Sequence, residues 1–172
     1  MLAKKLIAPV LLLASIFIST YIYYIIPEDA PVPTISAEEL QEYNKQLNCL
    51  AENIYFESAS EPLEGKRAVS QVVMNRINDP RYPKDVCSVV YQRRGKTFQF
   101  SWVGQKRKHI NDADTWVECM NIATESMEQI VVHEELAKTN ALFYHADYVR
   151  PRWKFKKVAK IGKHIFYTDN KA

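Results

Sequence analysis

Glu57 is the carboxylate best placed to do acid chemistry. It directly follows Ile54, Tyr55 and Phe56, and an apolar neighbourhood raises a carboxyl pKa enough to hold the proton near neutral pH. Such a group can protonate the departing oxygen of a glycosidic bond. The plainer alternative is a surface glutamate at a helix end. Glu61 and Glu64 lie close by, across a turn at Pro62. Glu61 is the neighbour to test as a second carboxylate, with a structural or pKa-tuning role expected of it, whereas Glu64 reads as solvated charge in the first turn of the next helix.

The other reactive side chains are less promising. His109, His133, His145 and His164 form no H-E-x-x-H pattern, and His133-Glu134-Glu135 lacks a second histidine one turn on, so no metal or other cofactor is expected. His145 and His164 read instead as hydrogen-bonded histidines of a pocket or core. With only 4 glycines there is no phosphate-cradling loop and no G-x-S-x-G elbow. Cys49, Cys87 and Cys119 are an odd number. They are either three buried thiols or one bridge with a thiol left over, and Cys49 with Cys87 is the preferred pair.

The elements that must position these groups can be read from periodicity. Ser36 and Glu39 have capping-box spacing, and Leu40, Tyr43, Leu47, Leu50 and Ile54 recur at steps of three and four, which predicts a helix from about Ala37 to about Glu57. After a break at Pro62 and Gly65, the residues Ala68, Val69, Val72, Val73 and Ile77 predict a second helix ending before Asp79-Pro80. Pro83 to Tyr91 predicts a short third one. Gln92 to Ile110 is basic and loop-like, a candidate binding lip. Asn111 or Asp112 then caps a helix carried by Trp116, Met120, Ala123, Met127, Ile130 and Val131 to about Glu135. Ala141 to Ala146 and His164 to Thr168 read as strands, with Trp153 to Ile161 a candidate partner in the same small sheet. The domain is therefore α+β and mostly helical. Glu52 to Ser58 resembles an engineered protease-cleavage linker, but the helical stripe runs through it and Glu57 stands where such linkers carry glutamine.

Ahead of this domain, Leu6 to Ile26 is an uninterrupted apolar to weakly polar stretch, long enough to cross a bilayer. Lys4 and Lys5 precede it and Pro27-Glu28-Asp29 follow, so the N-terminus is expected in the cytoplasm and the remainder outside. The expected organisation is a single-pass transmembrane anchor over 1–27, a proline-rich linker over 28–36 and a folded domain over 37–172 in the periplasm or extracytoplasmic space. A processed signal peptide is the alternative. Mixed charges, 47% hydrophobic residues and no internal repeat argue against disorder and low-complexity scaffolds. The net charge of +3 is too small to mark a nucleic-acid binder, and suits a polyanionic wall or membrane surface.

An ordered series of motifs resembles the SleB/CwlJ-type cell wall hydrolases. It runs through Cys49-Leu50-Ala51, Ile54 to Glu57, Glu61-Pro62 with Gly65, Ala68-Val69 and Val72 to Arg76. It continues through Tyr82-Pro83, Val86 to Gln92, Phe100 to Trp102, Phe143 to His145, Val149, Pro151 and Trp153, and ends at Ile161 to Tyr167. The resemblance implies a lysozyme-like or lytic-transglycosylase-like fold, peptidoglycan as substrate and Glu57 as the catalytic acid. Members commonly read Glu-Ala-Arg-Gly-Glu where this chain has Glu57-Ser58-Ala59-Ser60-Glu61, so both glutamates are present and the arginine and glycine are not. A sugar groove is expected from Phe98, Trp102, Tyr144 and Trp153, with Asn75, Gln92 and His145 as hydrogen-bonding groups; burial in the core is the alternative for each aromatic. The chain is expected to act as a monomer on peptidoglycan glycan strands, as a lytic transglycosylase in wall remodelling or phage lysis. A hydrolytic muramidase or glucosaminidase, or an idle membrane-anchored wall-binding module, are the alternatives.

Overall fold

The computed structural model describes residues 34–106, 109–128 and 132–169. The expected span Leu6 to Ile26 lies outside them, and no helix among the described residues is long and apolar enough to cross a membrane. The chain divides after Ser36, and the unit Ala37–Ala172 is considered by itself.

Helix α1, Ala37–Ser58, buries Leu47, Leu50, Ala51 and Ile54. These are the last two-thirds of the apolar stripe; Leu40 is 51% exposed, so the first turns overhang the core. Helix α2, Leu63–Asn78, starts behind Pro62, where a missing N–H costs the helix no bond. Its Val69, Val72 and Val73 are fully buried. Helix α3, Val86–Val90, is shorter than its sequence signal because Asp85, not Pro83, caps it, accepting from the Ser88 amide at 2.8 Å. Helix α4, Ala113–Met127, is capped by Asp112, which accepts from the Thr115 amide at 3.0 Å. The helix expected to reach Glu135 instead closes at Glu128, whose N–H returns to the Thr124 carbonyl. A separate helix α5, Glu134–Lys138, turns Leu136 into a cluster with Ala68, Val72, Ala141 and Phe166.

The segment read as a loop holds a two-residue hairpin, β1 (Arg93–Arg94) with β2 (Thr97–Phe98), and a 3₁₀ turn over Ser101–Gly104. The main sheet comprises β3 (Phe143–Ala146), β4 (Lys156–Ile161) and β5 (His164–Thr168) in the antiparallel order β3-β5-β4. Pairing sets its two faces, because partners across an antiparallel ladder point the same way and neighbours along a strand point oppositely. Tyr144 opposite Phe166 and Ala146 opposite His164 face the helices; His145 opposite Ile165 and Phe143 opposite Tyr167 face away.

Cys49 and Cys87 are joined, tying α1 to the start of α3 across 38 residues, while Cys119 is a buried free thiol in α4. A loop of that length contributes about 4 kcal/mol through the unfolded chain. Thiol titration of the unreduced, denatured protein should find one free thiol, and reduction should lower stability by about that amount in a denaturant melt. Three titratable thiols would disprove the bridge.

Candidate active site

Glu57 sits in the last turn of α1, half-buried, where the helix hands over to a tight turn: the Ala59 amide donates to the Tyr55 carbonyl and the Ser58 hydroxyl to that of Ile54. The Tyr144 hydroxyl donates to Glu57 Oε2 at 3.0 Å. Burial pushes the Glu57 carboxyl upward, opposed by the Tyr144 hydrogen bond and by the charge of Arg76. Burial is the largest of these influences, so the group keeps its proton to higher pH than an ordinary glutamate.

Two residues of α2 hold Tyr144 in place. Arg76, buried on the apolar stripe, donates from Nε and Nη2 to the Leu142 carbonyl at 3.0 and 2.8 Å. Its guanidinium lies over the Phe100 and Tyr82 rings, 5.0 and 5.6 Å from their centroids. Asn75 donates to the carbonyls of Leu136 and Ala141 at 2.8 and 2.9 Å and accepts from Gln71 at 3.0 Å. Asn75 was expected in the sugar groove; the structure corrects this, because the buried side chain clamps the end of α5, where Asn140 takes a left-handed φ of 46°.

Trp102 is corrected likewise. It is 3% exposed, stacks on Phe56 at 4.8 Å and donates to Asn53 at 3.1 Å, so it supports the end of α1 from within the core. Phe98 is half-buried beneath the Arg93 guanidinium, on the β1–β2 hairpin. Gln92 follows α3, and its Oε1 is buried with no hydrogen-bond partner among the described residues. His145 and Trp153 do not join Glu57: strand alternation sends His145 to the sheet face opposite Tyr144, where it meets Tyr167, and the Trp153 ring lies 5.8 Å from His145. His164 does face inward, edge-on to Tyr144 at 5.2 Å, with burial holding its pKa down.

Glu61 is held rather than offered. It is 6% exposed, its Oε2 accepts from the Lys163 amide at 2.8 Å, and its carbonyl accepts from Lys66 at 2.9 Å. Two glycines make room for it: a Cβ on Gly162 would fall 1.9 Å from Oε2, and one on Gly65 would fall 2.8 Å from the Glu61 Cβ. Gly162 also has φ of 55°, which glycine adopts without strain. The carboxylate thus pins the α1–α2 turn to the β4–β5 hairpin. Burial, Tyr144 and Arg76 are the main influences on the Glu57 carboxyl, and the contacts of Glu61 are those of a tether. Nearby Glu52 accepts from Tyr91 and Glu64 pairs with Arg67. Among the described residues no three His, Cys, Asp or Glu side chains gather as metal ligands would.

A buried acid with this support occurs on many folds, and comparison with known proteins narrows the choice. The model of the family described as Cell Wall Hydrolase matches residues 60–167. The chain belongs to that family. Glu57 precedes the matched residues, and the match therefore does not include it. The spore cortex-lytic enzymes of Bacillus subtilis (strain 168) and Oceanobacillus iheyensis are 24% and 26% identical over 125 and 122 residues. Those alignments cover 72% and 70% of this chain but only 37% and 40% of the relatives, so the chain spans about two-fifths of their length. The catalytic domain of the Bacillus cereus SleB protein aligns with a TM-score of 0.55 at 22% identity, covering 84% of this chain and 99% of that one. The catalytic domain of the germination-specific lytic transglycosylase SleB from Bacillus anthracis aligns with a TM-score of 0.56 at 23% identity, covering 83% and 100%. These likenesses establish the SleB catalytic fold, a mostly helical domain with small antiparallel sheets.

Arg76, Asn53 and Phe100 escaped the sequence reading of the site. A signal for Arg76 existed: it continues the stripe Val69, Val72, Val73, and an arginine on an apolar stripe is buried only with a partner to hold.

Two substitutions test this assignment. Tyr144→Phe removes a bond that favours the ionised Glu57, so the alkaline limb of the pH–rate profile should move to higher pH; a shift to lower pH would contradict the hydrogen bond. Trp102→Ala should cost about 3 kcal/mol or more of stability along with activity. Loss of glycan cleavage at an unchanged melting temperature would return Trp102 to the groove.

Proposed function

We propose that the domain is a peptidoglycan lytic transglycosylase with Glu57 as its single acid and base. The observation that carries this reading is a pKa-raised Glu57 whose nearest carboxylate in sequence, Glu61, is held by a backbone amide. Hydrolysis of the usual kind needs a second carboxylate to activate water or attack the sugar. Glu61, the foremost candidate, is bound to the Lys163 amide. Its engagement favours the route that needs one group. The relatives' names, spore cortex-lytic enzyme and lytic transglycosylase, point the same way.

In this route Glu57 gives its proton to the oxygen leaving C1 of N-acetylmuramic acid, and the C1–O bond breaks. The sugar's own C6 hydroxyl then attacks C1 and yields its proton to Glu57, which regenerates the acid and leaves a 1,6-anhydro end without consuming water. The internal hydroxyl has the advantage of proximity. Tyr144, bonded to Oε2, steadies the carboxylate between the two transfers. An acid in the last turn of a helix, held by a neighbouring strand, is compatible with a lysozyme-like domain. The span Leu6 to Ile26 would hold the domain at the outer face of the cytoplasmic membrane, for wall remodelling or as a phage lysis protein.

Purified peptidoglycan treated with the protein should release muropeptides one water lighter than hydrolysis products, ending in anhydro sugar, and Glu57→Gln should release none. Reducing ends would mean a hydrolase, and no release from several wall types would leave a binding module. Stability supplies an independent check. With its folded pKa raised, Glu57 contributes stability that is complete below the ordinary glutamate range and lost as pH climbs through the raised value. Glu57→Gln should therefore raise the melting temperature at neutral pH, with the gain vanishing in acid. An equal gain at all pH values would deny the buried, raised carboxyl.

A further inference from the structure

The outward face of the main sheet carries a groove that the reaction does not use. It measures about 710 Å³ and has an aromatic wall of His145, Trp153 and Tyr167, with Arg150, Lys160 and one acid, Asp147, among its lining. Because His145 and Tyr144 are consecutive on β3, this groove opens on the side of the sheet away from Glu57. Its aromatic wall is braced. His145 stacks on Tyr167 at 5.2 Å and shares a 2.9 Å hydrogen bond with its hydroxyl, while Nδ1 is held by the Ala146 carbonyl at 2.8 Å. Trp153 packs on Phe155 at 5.3 Å and on Tyr167 at 6.0 Å, yet remains 39% exposed.

Positive charge is concentrated in the chain around it. From Val149 to Thr168 there are seven cations, Arg150, Arg152, Lys154, Lys156, Lys157, Lys160 and Lys163, and no acid. All seven are exposed. Asp147 accounts for part of one, pairing with Lys160 at 2.9 Å, and Arg150 spends only Nη1 on the Asp147 and Val149 carbonyls. The whole chain has a net charge of just +3, so this stretch holds a disproportionate share of the positive charge.

We propose that the outer groove is a second binding site for a carboxylate-bearing aminosugar strand, separate from the strand being cut at Glu57. A rigid, half-exposed tryptophan offers a flat face to a pyranose ring, and cations flanking it complement the carboxylates that muramyl sugars and their peptide stems carry. An anionic lipid surface would also meet the cations, but a concave aromatic trough suits a chain of rings better than a plane of headgroups. The inference rests on the peptidoglycan reading for its ligand and not on the chemistry at Glu57. The groove would tether the domain to a neighbouring strand and raise the local concentration of cleavable bonds.

The test uses the full chain with Glu57→Gln, so that strands bind without being cut, and measures co-sedimentation with intact peptidoglycan sacculi. Adding Arg150→Glu and Lys160→Glu should weaken binding by roughly tenfold or more, and salt should weaken the parent in the same direction. Trp153→Ala should also weaken it, and Trp153→Phe should restore most of it. In the Glu57 background the same groove variants should cleave short soluble muropeptide oligomers at the parent rate, which separates the groove from the reaction. If the parent forms no anhydro product but groove-dependent binding persists, the catalytic reading fails and the site stands. Unchanged sacculus binding by the charge-reversed variant would overturn the proposal. So would a loss confined to vesicles of phosphatidylglycerol and phosphatidylethanolamine, which would assign the face to the membrane.

Discussion

Arg76 is a cation buried in a hydrophobic helix stripe, and the domain tolerates it because the guanidinium grips the Leu142 carbonyl through two donors and lies over two aromatic rings. A buried charge without such partners would be strongly destabilising. The grip fixes the entry of β3 against α2, and Tyr144 lies two residues further along the strand. Asn75, one position before Arg76, holds the carbonyls at the end of α5 and at Ala141, so both sides of the approach to β3 are tied to one helix. The separation between the Glu57 carboxyl and the Tyr144 hydroxyl is thus set from α2, which itself supplies neither group. The same cation partly offsets the burial of Glu57, so one residue influences both the position and the protonation of the site.

Glu61 makes a similar connection by a different means. A carboxylate oxygen accepting a backbone amide links two segments more than 100 residues apart in sequence, Glu61 and Lys163. Both glycines that line the carboxylate are there because nothing larger fits. Glu57 and Glu61 therefore stand in different surroundings, one bonded to a tyrosine hydroxyl and the other to a backbone amide.

Much of this was legible in the sequence. The α+β composition, the α1 and α2 stripes, the strands and the position of Glu57 follow from periodicity and from the apolar run before it. What misled was the treatment of polar and aromatic residues as independent choices. Tyr144 and His145 were both assigned to one groove although adjacent strand residues face opposite ways, and that single rule would have separated them. Asn75 and Trp102 looked like ligand contacts by residue type, whereas burial turned them into a clamp and a prop. The break between α4 and α5 was not legible, since the spacing of Ile130 and Val131 continues the helical pattern, and the need to place Leu136 under the sheet arises only in three dimensions.

Strand β4 has one further property. In the order β3-β5-β4 it is an edge, with one row of backbone donors and acceptors unpaired within the sheet. Such an edge invites another chain to add a strand, and lysines and bulges are the usual deterrents. β4 carries Lys156, Lys157 and Lys160, with a register shift between Lys157 and Ala159. Copies of this domain crowded together would repel at the edge where they could most easily fuse into a continuous sheet, so the basic hairpin also guards against aggregation.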